Sequence, residues 1–213
     1  AGVKADGTTV GTLSICTTQQ GNATLGTGLS RNASQVFANQ LVTNAKRDIE
    51  GTFKKVWNTR GVKDANYSET RLPEVPSAII ETLSHQNFGD MKLGQDPNFK
   101  FTLARSIYKS ILRHTASLHK RPYIVQPLAP DNFRIEYVSK DKVRLKWNGV
   151  NDPLEPTAKP TSYNIYMATG TSGFDNGVNV NGNSYEITLE PNVLYNFRVT
   201  ACNHGGESFP TEV

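Results

Sequence analysis

Ala33, Val36, Phe37, Leu41 and Ala45 recur three or four residues apart, the spacing of one helix face, and predict a helix over residues 31–50. Ser30 can cap its start and Gly51 can stop its end. The spacing returns after Asp96-Pro97, a capping acid followed by a proline at the first helical position, and predicts a second helix reaching Leu118. Its inward stripe is Phe99, Leu103, Ile107, Ile111 and Leu112, with Lys100, Arg105, Lys109 and Arg113 assigned to water. His114 and His119 fall near its C-terminus, where the helix dipole favours a cation, and read as structural. Residues 1–7 read as loop, and residues 8–15 as a strand interrupted by Gly11. Residues 16–28, rich in Thr, Gln, Gly and Asn, read as a mobile loop and a candidate substrate lip. Ala78-Ile79-Ile80, entered from Pro76, reads as a strand buried on both faces, as in a parallel sheet.

Residues 122–130 hold three prolines and read as a stiff linker. Beyond them the period changes to two. Phe133, Ile135 and Tyr137 alternate with polar residues, as do Val143, Leu145 and Trp147, then Tyr163, Ile165 and Met167, then Tyr185, Ile187 and Leu189, then Tyr195, Phe197 and Val199. Short strands separated by turn residues predict a β-sandwich. Trp147, the run Tyr163-Asn164-Ile165-Tyr166, and Leu189-Glu190-Pro191-Asn192-Val193-Leu194-Tyr195 carry a resemblance to fibronectin type III domains, with Tyr195 as the tyrosine corner. Asn203, Gly205, Gly206 and Ser208 fit the turn before the last strand, which is expected to be missing or barely begun at Val213. The predicted organisation is therefore an α/β unit over 1–121, a linker over 122–130 and an all-β sandwich over 131–213.

The chemistry concentrates at the end of the Ala78–Ile80 run. Glu81 closes that apolar strand, and a carboxylate there is costly unless a metal, an arginine or a substrate meets it. Open α/β sheets place ligands at such edges, and Ser84, His85, Gln86 and Asn87 follow at once. Proline, apolar strand, Glu, then a loop with Asn87 and Asp90 and a capped helix is similar to the end of the zinc-dependent N-acetylmuramoyl-L-alanine amidases, whose pattern is roughly P-x-h-h-h-E-x-G-F-h-S-N-x-x-D. On that resemblance Glu81 stands at the catalytic glutamate, Asn87 and Asp90 near the family Asn and Asp, and Arg71 at a family arginine before the strand. The segment Arg60-Gly61-Val62-Lys63 also has a family counterpart. Leu83-Ser84-His85-Gln86 replaces the usual Gly-Phe segment, so a differently shaped loop is expected; proteins with this loop resemble a group often labelled xanthan lyase.

The resemblance implies a partial three-layer amidase-type fold and a reaction in which zinc activates water and a carboxylate carries the proton to the leaving amine. Glu81 would be that carrier, with burial favouring its protonated form. His85 could touch the metal-bound water, hydrogen-bond substrate or cap the loop, and Asn87 would bind substrate. Arg71 could orient an anionic group, or pair with Glu69, Glu74 or Glu81. The family motif S-h-H-x-N-A would end just before Ala1, so the zinc ligands are expected upstream, no metal-ligating residue is assigned here, and the piece alone is expected to be inactive.

Charge sharpens the expected partner. Residues 1–122 carry 16 Lys or Arg against 9 Asp or Glu, whereas 123–213 carry 7 against 10. A basic half suits peptidoglycan or another anionic cell-envelope polymer. The basic residues are scattered, with no arginine-rich run and no aromatic-interleaved motif, which argues against nucleic acid. No apolar run nears the roughly 20 residues of a membrane span. Cys16 and Cys202, one in each half, read as small buried hydrophobes. No G-x-S-x-G elbow or glycine-rich phosphate loop offers another scheme. The expectation is a peptidoglycan amidase of the periplasm, cell envelope or exterior, with polysaccharide lyase and non-catalytic wall-binding module as the alternatives.

Overall fold

In the computed structural model, which describes residues 8–212, the chain divides into two units, Ala1–Pro122 and Tyr123–Val213. The loop read over 1–7 and the chain end at Val213 lie outside the described residues. Gly11 fixes where the first strand begins. Its φ is +75°, and a Cβ there would meet the Asn58 carbonyl oxygen at 1.6 Å, so a side chain does not fit. Strand β1 is accordingly Thr12–Cys16, starting later than predicted.

Helix α1 spans Asn32–Phe53, with Ser30 Oγ accepting from the Asn32 amide at 3.3 Å. It passes through Gly51 and ends at Lys54, whose φ of 53° is left-handed. A glycine costs a helix about 1 kcal/mol, and local ties oppose that. Lys46 Nζ donates to Glu50 Oε1 at 2.7 Å and to the Trp57 carbonyl at 2.8 Å, Glu50 Oε1 accepts the Trp57 amide at 3.0 Å, and Phe53 packs on Phe99. The buried stripe is Ala38, Leu41, Val42, Ala45 and Ile49; Val36, expected inward, is 54% exposed.

Strand β2, Thr59–Asp64, returns parallel to β1, completing a strand–helix–strand unit. After a short helix α2, Ser68–Arg71, strand β3, Ile79–Glu81, pairs antiparallel with the other side of β1, giving the order β2-β1-β3. This corrects the expected parallel strand buried on both faces. Ile79 and Ile80 are only half-buried, because β3 is a three-residue edge strand. An apolar triplet encodes burial but not direction.

Helix α3, Phe88–Gly94, leads into α4, Pro97–Leu118, where Asp96 accepts from the Asn98 amide at 2.8 Å. Helix α1 packs on β1 and β2, and α4 packs on α1. The core there is Ala45, Ile49, Trp57, Phe99 and Leu103. The second half of α4 departs from its predicted stripe. Ile111 is 49% exposed, whereas Lys109, assigned to water, is 2% exposed.

In the second unit, strands β4 (Asp131–Ser139), β5 (Lys142–Asn148) and β8 (Ser184–Thr188) form one antiparallel sheet. Strands β6 (Ser162–Thr169), β7 (Val178–Val180), β9 (Tyr195–Asn203) and β10 (Gly206–Glu207) form the other, in the order β10-β9-β6-β7. Val143, Leu145, Trp147, Ile165, Phe197 and Val199 fill the space between them, following the period-two pattern. The β4 stripe fails: Ile135 and Tyr137 are exposed although they lie opposite the buried Leu145 and Val143, and β4 is the edge strand of its sheet. The last strand, expected to be missing or barely begun, is the two-residue β10, after which the pairing continues irregularly. Ser208 and Thr211 donate their amides to the Ala201 and Val199 carbonyls at 2.8 and 2.9 Å. The stretch read as a linker is also packed in part. Val125 is fully buried, its amide donating to Thr157 Oγ1 at 3.1 Å and its carbonyl accepting from Asn203 Nδ2 at 2.9 Å.

Candidate functional site

Because β3 runs against β1, Glu81 lies opposite Leu13, near the start of β1, and Ile79 lies opposite Ile15. Gly61 of β2 pairs with Leu13 from the other side, so Arg60 and Glu81 approach each other across β1. Arg60 Nη1 donates to Glu81 Oε2 at 2.7 Å, and Arg60 Nε to the Gly11 carbonyl at 3.1 Å. The Glu81 side chain is 46% exposed and that of Arg60 24%. This corrects the expectation of a dry carboxylate: an edge strand leaves Glu81 in reach of water, and its cation is Arg60.

Arg71 is not part of this cluster. It closes α2, donates to Asn66 Oδ1 at 3.0 Å, and its carbonyl accepts from Arg31 Nη1 at 3.0 Å. Neither Glu69 nor Glu74 takes it: Glu69 accepts from Ser68, and Glu74 accepts the Gly26 amide at 2.5 Å. The loop after β1 follows Cys16, the end of the strand away from Glu81, so it does not form a lip over that acid. It is also tethered, by Asp64 to Thr18, by Arg31 to the Asn22 carbonyl, and by Glu74 to Gly26.

His85 is exposed on the turn after β3. Asn87, assigned to substrate, is fully buried. Its Oδ1 accepts the Asp90 amide at 2.9 Å, capping α3, and its Nδ2 donates to the Thr8 carbonyl at 3.1 Å. Both ends of the amide are spent on the protein itself.

The residue that sequence reasoning undervalued is Asp90. Fully buried, its carboxylate accepts the amides of Val10 at 2.8 Å, Gly11 at 3.0 Å and Ser84 at 2.8 Å. It ties the strand entering β1 to the loop leaving β3, and so fixes both sides of the Arg60–Glu81 pair. Its only signal in the sequence was its place in the family pattern.

Among the described residues, no three His, Cys, Asp or Glu side chains come together to hold a metal. Zinc therefore does not fit this donor set, and His85 next to Glu81 does not make a cradle. Cys16 is buried and Cys202 half-buried, both are free thiols, and burial pushes both up from their ordinary pKa, which fits inert packing. Among the described residues no helix is long and apolar enough to cross a membrane.

Residues 128–213 match the fibronectin type III domain family. Those residues are therefore a fibronectin type III domain, and its tyrosine corner is formed: the Tyr195 hydroxyl accepts the Glu190 amide at 3.1 Å. Three similar solved structures are domains A168–A170 from titin, the twitchin kinase region from C. elegans and the FN1–FN3 domains of chicken CNTN1. Their identities are 27%, 24% and 20%, with TM-scores of 0.36, 0.37 and 0.35. The matches cover 41%, 41% and 40% of this chain. They cover only 30%, 15% and 30% of those proteins. No curated protein matches the chain.

Proposed function

We propose that residues 1–121 come from the C-terminal part of an N-acetylmuramoyl-L-alanine amidase domain. The intact protein would hydrolyse the amide between the lactyl group of N-acetylmuramic acid and L-alanine, with the fibronectin type III domain as spacer or wall-binding arm. One observation carries this reading. In the resembled amidases the last metal-binding histidine precedes the strand corresponding to β1, and Glu81 lies opposite Leu13, near the start of that strand. An acid in that position can take a proton from the attacking water and deliver it to the leaving amine. Its exposed edge admits a bulky polymer, and Arg60 holds its carboxylate. His85 can hydrogen-bond substrate from the adjoining turn, while Asn87 and Asp90 hold the loop. The family's zinc would have to be held by residues other than those described. The surplus of basic residues in 1–122 suits an anionic wall polymer and a cell-envelope or secreted location.

The Arg60–Glu81 ion pair favours one rival, a wall-binding module without activity, because a carboxylate held by an arginine is less ready to take up a proton. The test is release of peptide amines from purified peptidoglycan by the full-length protein. Glu81→Gln should lower that release by about 10²–10⁴ while leaving wall binding intact. Unchanged release in Glu81→Gln removes the catalytic assignment. Wall binding without hydrolysis in the wild type supports the binding module, and an unsaturated uronate product from an acidic polysaccharide would identify a lyase.

A further inference from the structure

Strand β4 pairs with β5 on one side, and among the described residues no strand pairs with its other side. The other edges of the sandwich, β7, β8 and β10, are three, five and two residues long. Strand β4 runs for nine, with no proline or lysine to blunt it. Within it, Arg134–Tyr137 keeps a regular register with β5, the irregular points falling on either side. Ile135, 50% exposed, and Tyr137, 89% exposed, share the inner face with the buried Leu145 and Val143 opposite them, so an apolar row lies open along the margin of the sandwich. Arg134 and Glu136 alternate with them on the outer face. Arg134 Nε lies 3.3 Å from Glu136 Oε1, and Lys146 Nζ 2.9 Å from Glu136 Oε2. With Arg134 46% and Glu136 38% exposed, water screens these contacts, and both charges can turn to a new partner.

A second, antiparallel copy of β4 has few ways to lie along this edge. A slip of one residue would set the apolar row of one copy against the charged row of the other. Slips of two place Arg134 opposite Arg134, or Glu136 opposite Glu136, and like charges directly opposite repel. Centred on Ile135, the pairing sets Arg134 opposite Glu136 twice, Ile135 opposite Ile135, and Tyr137 opposite Phe133. The edge is therefore complementary to itself in charge and in apolar pattern, in one register.

We propose that β4 pairs with β4 of a second copy of this chain, antiparallel and centred on Ile135, joining the two β4-β5-β8 sheets into one continuous sheet about a two-fold axis. Each copy gives the same residues to the contact, and each closes the other's open backbone edge. Nine residues from each copy are fewer than the roughly 20–30 a side of a stable interface, so the association is weak and reversible. It does not depend on the amidase reading.

Sedimentation equilibrium of the intact protein between about 10 μM and 1 mM should show monomer and dimer exchanging, with the midpoint inside that range. Arg134→Glu, which sets an acid against Glu136 of the second copy, should weaken the dimer about tenfold or more. Glu136→Lys, which sets a base against Arg134 of the second copy, should do the same. Mixed in equal amounts, the two variants oppose unlike charges at both places, and the mixture should recover the dimer that neither forms alone. The proposal is overturned if the wild type stays monomeric at about 1 mM, if Arg134→Glu dimerises as strongly as the wild type, or if the mixture stays monomeric. Position 134 lies opposite Lys146 within its own sheet, so Arg134→Glu gains a partner there and should fold. Should Glu136→Lys fail to fold, the wild type and Arg134→Glu still decide the matter.

Discussion

Lys109 Nζ of α4 lies 2.7 Å from Asp48 Oδ2 of α1, with both side chains 2% exposed. Arg47 Nη2 also reaches Asp48, at 2.9 Å, from a more exposed position. Nearby, Asn44 Nδ2 donates to Ser110 Oγ at 3.0 Å and Arg113 Nη1 donates to Asn44 Oδ1 at 3.2 Å. The helix interface is thus apolar at one end and polar at the other. A buried pair gains little over apolar residues of the same volume, but breaking it strands a charge.

Lys109→Met should therefore destabilise the N-terminal unit by about 1–3 kcal/mol, because Asp48 loses its buried partner and keeps only the more exposed Arg47. Combining it with Asp48→Leu should restore most of that loss. Urea unfolding of both variants checks this, and a double variant as weak as the single would contradict it.

Asp90→Ala removes the acceptor shared by the amides of Val10, Gly11 and Ser84. Each stranded buried donor costs about 1–3 kcal/mol, so a total loss of about 3 kcal/mol or more is expected. Hydrogen exchange should quicken at all three amides together; protection lost at only one would show that they are not held as a unit.

Arg60→Gln should shift stability by less than about 1 kcal/mol, since Glu81 is 46% exposed and water screens the pair. If the proposed activity is correct, amine release by the full-length protein should nevertheless fall about tenfold or more, because the Glu81 carboxylate is no longer held in line. Unfolding curves and wall hydrolysis, measured on the same sample, separate the two effects.

The burial of His114 sets a pH dependence with a definite sign. Its pKa is lower in the folded protein than the usual histidine value of about 6.5, so the unfolded chain binds the proton more readily. Stability is complete above about pH 6.5 and declines as pH falls from there through the lowered folded value. The thermal midpoint should drop between about pH 7.5 and 5.5, and His114→Gln should flatten that slope. An unchanged slope would assign the effect to other groups.

In the fibronectin type III domain, Tyr195→Phe deletes the hydroxyl that accepts the Glu190 amide and should cost about 1 kcal/mol. Tyr137→Phe, at a position 89% exposed, should cost nothing measurable. Equal midpoints for the two variants would remove any stabilising role for the corner.

The sequence by itself determined the elements whose signals are local: the amphipathic spacing of α1 and α4, the Asp96-Pro97 start, and the alternation that packs Leu145, Trp147, Phe197 and Val199. It also marked the fibronectin type III half, because strand alternation, turn residues and Tyr195 lie close together along the chain. Only the tertiary structure decided that β3 runs antiparallel at an edge, which exposed Glu81, gave it Arg60 in place of Arg71, and put the loop after β1 at the other end of the sheet. Only it turned Lys109 inward and Ile111 outward, and spent Asn87 and Asp90 on holding backbone. These outcomes depend on which distant segments meet, and an apolar triplet or a charged side chain has the same local pattern whichever way its strand runs or whichever partner waits across the core.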